Sequence, residues 1–173
     1  LVDTVDALVD VSRLDGLILT PPLTDSAALL DRLDERGMPF SCISPRQPQG
    51  RIGVTLDEHE AVCELMAHLI GLGLQRIAHV RGHPDHGASE WRMAGYRSAL
   101  RRAGLRYDPA LVVDGEFSFD SGLAGGRQLL GLSPRPTAIF AANDDMAAGA
   151  MRAAAERGLR VPHDVSVCGF DNT

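Results

Sequence analysis

Seven residues with ligand-handling side chains, Thr20, Ser44, His86, Ser89, Phe117, Asn143 and Asp171, stand just past the ends of short apolar runs or in the loops that follow them. Their hydroxyl, imidazole, carboxamide and carboxylate groups donate to or accept from adjacent hydroxyls, and an aromatic ring covers apolar C–H surface. Joined by the planar fork of an arginine such as Arg92, they describe a cleft for a neutral, hydroxyl-rich small molecule. Each also has a plainer use. Ser89 and Asn143 suit helix N-caps, Asp171 suits a turn cap, Phe117 suits a core, and Arg92 suits an exposed helix face.

No catalytic signature accompanies them. The chain has no GxGxxG after a strand, no GxxxxGK[ST], no GxSxG and no HExxH. His83, Asp85 and His86 share a loop with Gly82, Pro84 and Gly87 that offers metal ligands no outer support, and His59 and His68 lie nine apart, not at a ligand spacing. Cys42, Cys63 and Cys168 form no CxxC pair, so neither a zinc site nor a disulfide framework is expected, and a reducing cytoplasm fits. The expectation is no catalysis, no cofactor and no metal.

Composition narrows the partners. The chain of 173 residues carries 23 acidic and 17 basic residues, a net charge of −6, and every basic residue is arginine. An acidic chain lacks the basic face that grips nucleic acid. Hydrophobic residues make up 45%, ordinary for a globular protein, and no apolar run reaches the ~20 residues of a membrane span. Asp3, Asp6 and Asp10 at the start do not suit a secretory leader.

The elements that must position these residues follow from periodicity. Leu1, Val5, Leu8 and Val9 mark a helix face over 1–12, and 14–20 is a strand ended by Pro21-Pro22. A helix over 24–36 stops at Gly37, a strand covers 39–44, and 45–53 is a connecting segment rich in Pro and Gly. Then come a strand at 54–56, a helix from an Asp57-x-x-Glu60 capping box to Leu72, and a strand at 76–80. A helix at 89–103, a strand at 111–113 and a helix at 120–130 follow. A strand at 137–141, an Ala-rich helix at 143–157 and a strand at 165–168 close the chain. Alternating strands and helices imply an α/β fold, parallel sheets in αβα layers, with ligands at the carboxyl ends of the strands.

Several runs resemble the lac repressor / galactose repressor (LacI/GalR) family: DGLIL at 15–19, LGLQRIAHVRG at 72–82, RMAGY at 92–96, PTAIFAANDDMAAG at 136–149 and GLRVPHDVSVCGFDN at 158–172. The resemblance covers essentially the whole chain. It implies the effector-binding core of a bacterial transcriptional regulator, with a periplasmic-binding-protein-like two-subdomain architecture. Residues 1–53 would be a partial N-terminal subdomain and 54–173 a C-terminal subdomain incomplete at its end, with the helix-turn-helix absent from this stretch. It further implies a saccharide-class effector, a homodimer, operator DNA reached through the missing domain, a cytoplasmic location and no membrane association. Arg92, Asn143 and Asp171 match the family's effector contacts, Phe117 a cleft aromatic, His86 and Ser89 the loop before RMAGY, and Thr20 and Ser44 the N-terminal wall. Ser44 departs from the Asp that sugar-responsive members can carry there. A periplasmic sugar-binding protein of the same fold and an α/β sugar-processing enzyme are the alternatives; the sequence upstream of Leu1 and turnover assays with saccharides discriminate them.

Overall fold

The structure is a computed structural model, and it describes residues 2–11, 14–46 and 50–173. Leu1 and Ser12 of the first predicted helix, the Leu8 side chain of its apolar face and Gln47, Pro48 and Gln49 of the connecting segment lie outside the described residues. The chain divides into two compact units, Leu1–Leu56 with Asp85–Ala88, and Asp57–Pro84 with Ser89–Thr173.

The first unit holds a parallel sheet in the order β1 (Leu17–Leu19), β2 (Phe40–Ile43), β3 (Gly53–Val54). Helices α1 (Val2–Val11) and α2 (Ala27–Glu35) accompany it. Leu29, Leu30 and Leu33 of α2 are buried with Leu19 and Cys42, and Val5 and Val9 of α1 pack against that cluster. Asp6 of α1 accepts from Arg32 at 3.1 Å and Arg36 at 2.9 Å, tying the two helices together. Asp25 accepts the backbone N–H of Arg46 at 2.6 Å and that of Gly87 at 2.8 Å. The 54–56 strand is a correction: its paired part is β3, which joins β2 through Ile43–Val54 and Cys42–Gly53 rather than opening the second sheet.

In the second unit the order is β5 (Val112–Val113), β4 (Ile77–Val80), β6 (Ala138–Ala141), β7 (Ser166–Cys168), all parallel. Four strands, not the five a 54–56 strand would make, form this sheet. Side chains alternate across it as the period of two demands. Ile77, Ala138 and Phe140 face α3 (Glu58–Gly71) and α4 (Gly87–Arg102), packing with Val62, Met66, Met93 and Tyr96. Ala78, Val80, Ile139 and Ala141 face α5 (Phe119–Leu130) and α6 (Asp144–Glu156), packing with Leu129, Leu130, Met146 and Ala150. The backbone of α5 comes so close to α6 that a side-chain carbon on Gly122 or Gly149 would overlap it. This is a three-layer αβα sandwich.

The strand order turns about β4. From β4 the chain steps to β5 on one side, then crosses to β6 and β7 on the other. A crevice opens at such a switch point, beyond the carboxyl ends of the strands.

Candidate functional site

Four segments of the second unit leave the sheet at that end, and each carries a predicted residue: α4 after β4 (Arg92), the turn after β5 (Phe117), the start of α6 after β6 (Asn143) and the turn after β7 (Asp171). The structure brings these four side chains together. The Arg92 guanidinium is at the centre and nearly buried, its side chain 8% exposed. Its Nε donates to Glu58 at 2.7 Å, one Nη donates to the Ala142 carbonyl, and the other donates to Asp171 at 3.3 Å. Its guanidinium carbon lies 4.0 Å from the centre of the Phe170 ring and 5.8 Å from that of Phe117. Of the five N–H groups of a guanidinium, these bonds engage three.

Asn143 caps α6, its Oδ1 accepting the Met146 N–H at 2.9 Å, while its amide donates to the Phe117 carbonyl at 3.2 Å. It is both a cap and a link between the turns that follow β5 and β6. Burial pushes the Asp171 carboxyl above its usual range, Arg92 pulls it back, and the acids Asp144 and Asp145 push it further up. The Asp171 side chain keeps 39% of its surface open, so it is available to a ligand.

The backbone here is held in an uncommon conformation. Phe117 (φ 56°), Asp171 (φ 104°) and Asn172 (φ 64°) sit in the left-handed region, which non-glycine side chains rarely occupy. Such strain clusters where a ligand needs a pre-formed shape. Gly82 makes room for it: a side-chain carbon at that position would overlap the Phe117 ring.

Ser89 is fully buried, and its hydroxyl donates to the His83 carbonyl at 2.6 Å, ordering the loop that leads into α4. His86 is half-buried and belongs to the first unit. Thr20, also in the first unit, is exposed, and its carbonyl accepts the N–H groups of Leu23 at 2.9 Å and Thr24 at 3.4 Å. Ser44 is half-buried, with φ 46° and its N–H donating to the Val54 carbonyl at 2.8 Å. Sequence reasoning missed two members of the site. Glu58, with a side chain only 4% exposed, anchors Arg92, and Phe170 stacks on it. Glu58 carries no local signal because its partner is 34 residues away, whereas Phe170 lies inside the GFD run and was available to find.

Residues 66–173 match the family described as periplasmic binding protein-like domain. The chain belongs to that family. Within that class its relatives are LacI-type transcriptional regulators. It is 35% identical over 164 residues to the HTH-type transcriptional regulator DegA of Bacillus subtilis, covering 93% of this chain and 48% of DegA. It is 38% identical over 166 residues to the HTH-type transcriptional regulator CelR of Thermobifida fusca, again covering 93% of this chain and 48% of the relative. A solved structure of a CelR–cellobiose complex superposes with a TM-score of 0.88 at 34% identity, covering 99% of this chain and 53% of that one. The chain thus spans about half the length of the curated relatives it matches.

Proposed function

We propose that this chain is the effector-binding core of a LacI-type transcriptional regulator. The observation that carries the reading is the meeting of Arg92, Asn143, Asp171 and Phe117 at the ends of four strands around the switch point. A guanidinium and a part-open carboxylate suit the paired hydroxyls of a sugar, and the Phe117 ring suits its apolar face. The effector is a saccharide, and cellobiose, the ligand in the CelR complex, is the first to test. Ser89, in the same unit, orders the loop that leads into the helix carrying Arg92. The chain binds without catalysis, works as a homodimer in the cytoplasm, and reaches operator DNA through a helix-turn-helix carried elsewhere in the protein. Among the described residues, no helix is long and apolar enough to cross a membrane. Effector binding changes operator affinity to the extent that it favours one arrangement of the core over another.

A thermal-shift panel of mono- and oligosaccharides, with purines as controls, tests the reading. A saccharide at 100 times its Kd adds about 2.7 kcal/mol of stability. A panel in which only purines shift the transition overturns the saccharide assignment, and turnover of any saccharide overturns the non-catalytic one.

A further inference from the structure

We propose that the first two turns of α3 form a binding site for a zinc-class divalent cation, ligated by His59 Nδ1, Cys63 Sγ and a Glu60 carboxylate oxygen, with water in the fourth position. Among the described residues this is the group of His, Cys, Asp and Glu whose ligand atoms converge, all within 4.8 Å of one another; His83, Asp85 and His86 are not such a group. A spacing of four places His59 and Cys63 on one helical face, with Sγ 4.0 Å from Nδ1. Glu60 Oε2 lies 3.9 Å from the same nitrogen. Tetrahedral zinc, with bonds of about 2.3 Å to sulfur and about 2.0 Å to nitrogen or oxygen, needs ligands about 3.3–3.6 Å apart. Small side-chain rotations therefore close the site.

The surroundings favour this use of His59. Its Nε2 lies 3.1 Å from the Ser98 hydroxyl, which can accept a proton from Nε2, and in that tautomer Nδ1 is the metal-facing nitrogen. Without metal, the Cys63 thiol donates to the Gly95 carbonyl at 3.5 Å, and burial pushes its pKa up. The cation takes the place of the thiol proton, which leaves to solvent, so a thiolate and a carboxylate balance its two charges. A mixed sulfur, nitrogen and oxygen donor set selects zinc-class ions over magnesium or calcium. The competitor is Arg102, exposed and forked onto Glu60 at 3.1 and 3.3 Å, which the incoming ion displaces.

Titration of the reduced chain with cobalt(II) chloride tests the site, read as thiolate-to-cobalt charge transfer in the ultraviolet. A single saturable site is expected. Cys63→Ser abolishes the band, His59→Gln weakens binding, and Ser98→Ala weakens it by about tenfold. Arg102→Ala tightens it by freeing Glu60, while Cys42→Ser and Cys168→Ser leave it unchanged. His59 is only half-buried, so His59→Gln keeps the test valid if Cys63→Ser fails to fold. A thiolate band absent at excess cobalt, surviving Cys63→Ser, or indifferent to His59→Gln in a folded chain overturns the proposal.

Discussion

Removing the carboxylate of Glu58 tests how the central arginine is held. The Glu58–Arg92 contact is 2.7 Å, with side chains 4% and 8% exposed. At an effective dielectric of about 20, charges that close attract by about 6 kcal/mol, and the several kcal/mol each ion loses on leaving water offsets most of it. The intact pair therefore adds little to stability, but truncating one partner strands a buried charge, at a typical cost of about 3–5 kcal/mol. In Glu58→Ala the Ala142 carbonyl and Asp171 still accept from Arg92, which puts the expected loss near about 3 kcal/mol. Glu58→Gln keeps an acceptor for Nε and exchanges a charged bond for a neutral one, a loss of about 1 kcal/mol. Trp91, the only tryptophan, adjoins Arg92 on α4, so its fluorescence in a urea titration follows the unit that holds the pair. Pairing Glu58→Ala with Arg92→Met removes both charges and should cost at least about 2 kcal/mol less than the sum of the single changes. A loss below about 1 kcal/mol for Glu58→Ala, or strict additivity in the cycle, refutes this account of the anchor.

Three further outcomes follow from other parts of the chain. His79 is fully buried, stacked between Tyr96 and Phe140, and burial pushes its pKa down to about 4 from 6.5. The unfolded imidazole takes up its proton near pH 6.5 and the folded one only near 4. The stability present above pH 6.5 is therefore lost as pH falls toward 4, by roughly 3 kcal/mol, and His79→Phe should remove that part of the slope in urea titrations across this range. Gly82→Ala should drive the Phe117 ring away from Arg92 and weaken ligand binding while changing stability by only about 1–3 kcal/mol, as calorimetry and unfolding would measure; unchanged affinity contradicts the role given to that ring. Ile18 and Val54 are 74% and 72% exposed on the face of the first unit's sheet opposite Leu19 and Cys42, where parallel sheets are normally covered. Replacing both by Thr should reduce concentration-dependent self-association in light scattering, and equal scattering contradicts it.

The parts of this protein legible in its sequence are those fixed by local chemistry. Among the described residues, apolar runs and spacings of three and four placed the strands and α-helices to within a few residues, because the faces they mark are buried against one sheet or the other, whereas the short 3-10 helix at Pro109–Leu111 has no such spacing and was missed. Pairing partners are another matter. Val54 reads as strand, but its partner Ile43 lies across the connecting segment, and nothing in the run 54–56 says which sheet it joins. The helix starting at Phe119 is capped by Ser118, with Ser121 making the return bond at 3.3 Å, a serine version of a box usually sought as Ser/Thr followed by Glu/Gln. Asp57 does cap α3 through the Glu60 N–H at 3.0 Å, but the Glu60 carboxylate goes to Arg102 instead. In the site, Asn143 and Asp171 announce themselves by position after strands and by the runs around them. Glu58 does not, since at the first turn of a helix an acidic residue is already explained by the helix dipole.

The central claim is that a saccharide binds at the strand ends against Arg92 and Asp171. Its most direct test is calorimetric titration of the wild-type chain and Asp171→Ala with the saccharide that gives the largest thermal shift. Asp171 is part-exposed, so its removal leaves the fold standing. Losing its charged hydrogen bonds to the ligand costs about 1.5–3 kcal/mol, so affinity should fall by about ten- to hundredfold. Equal affinity in the two proteins would contradict the site.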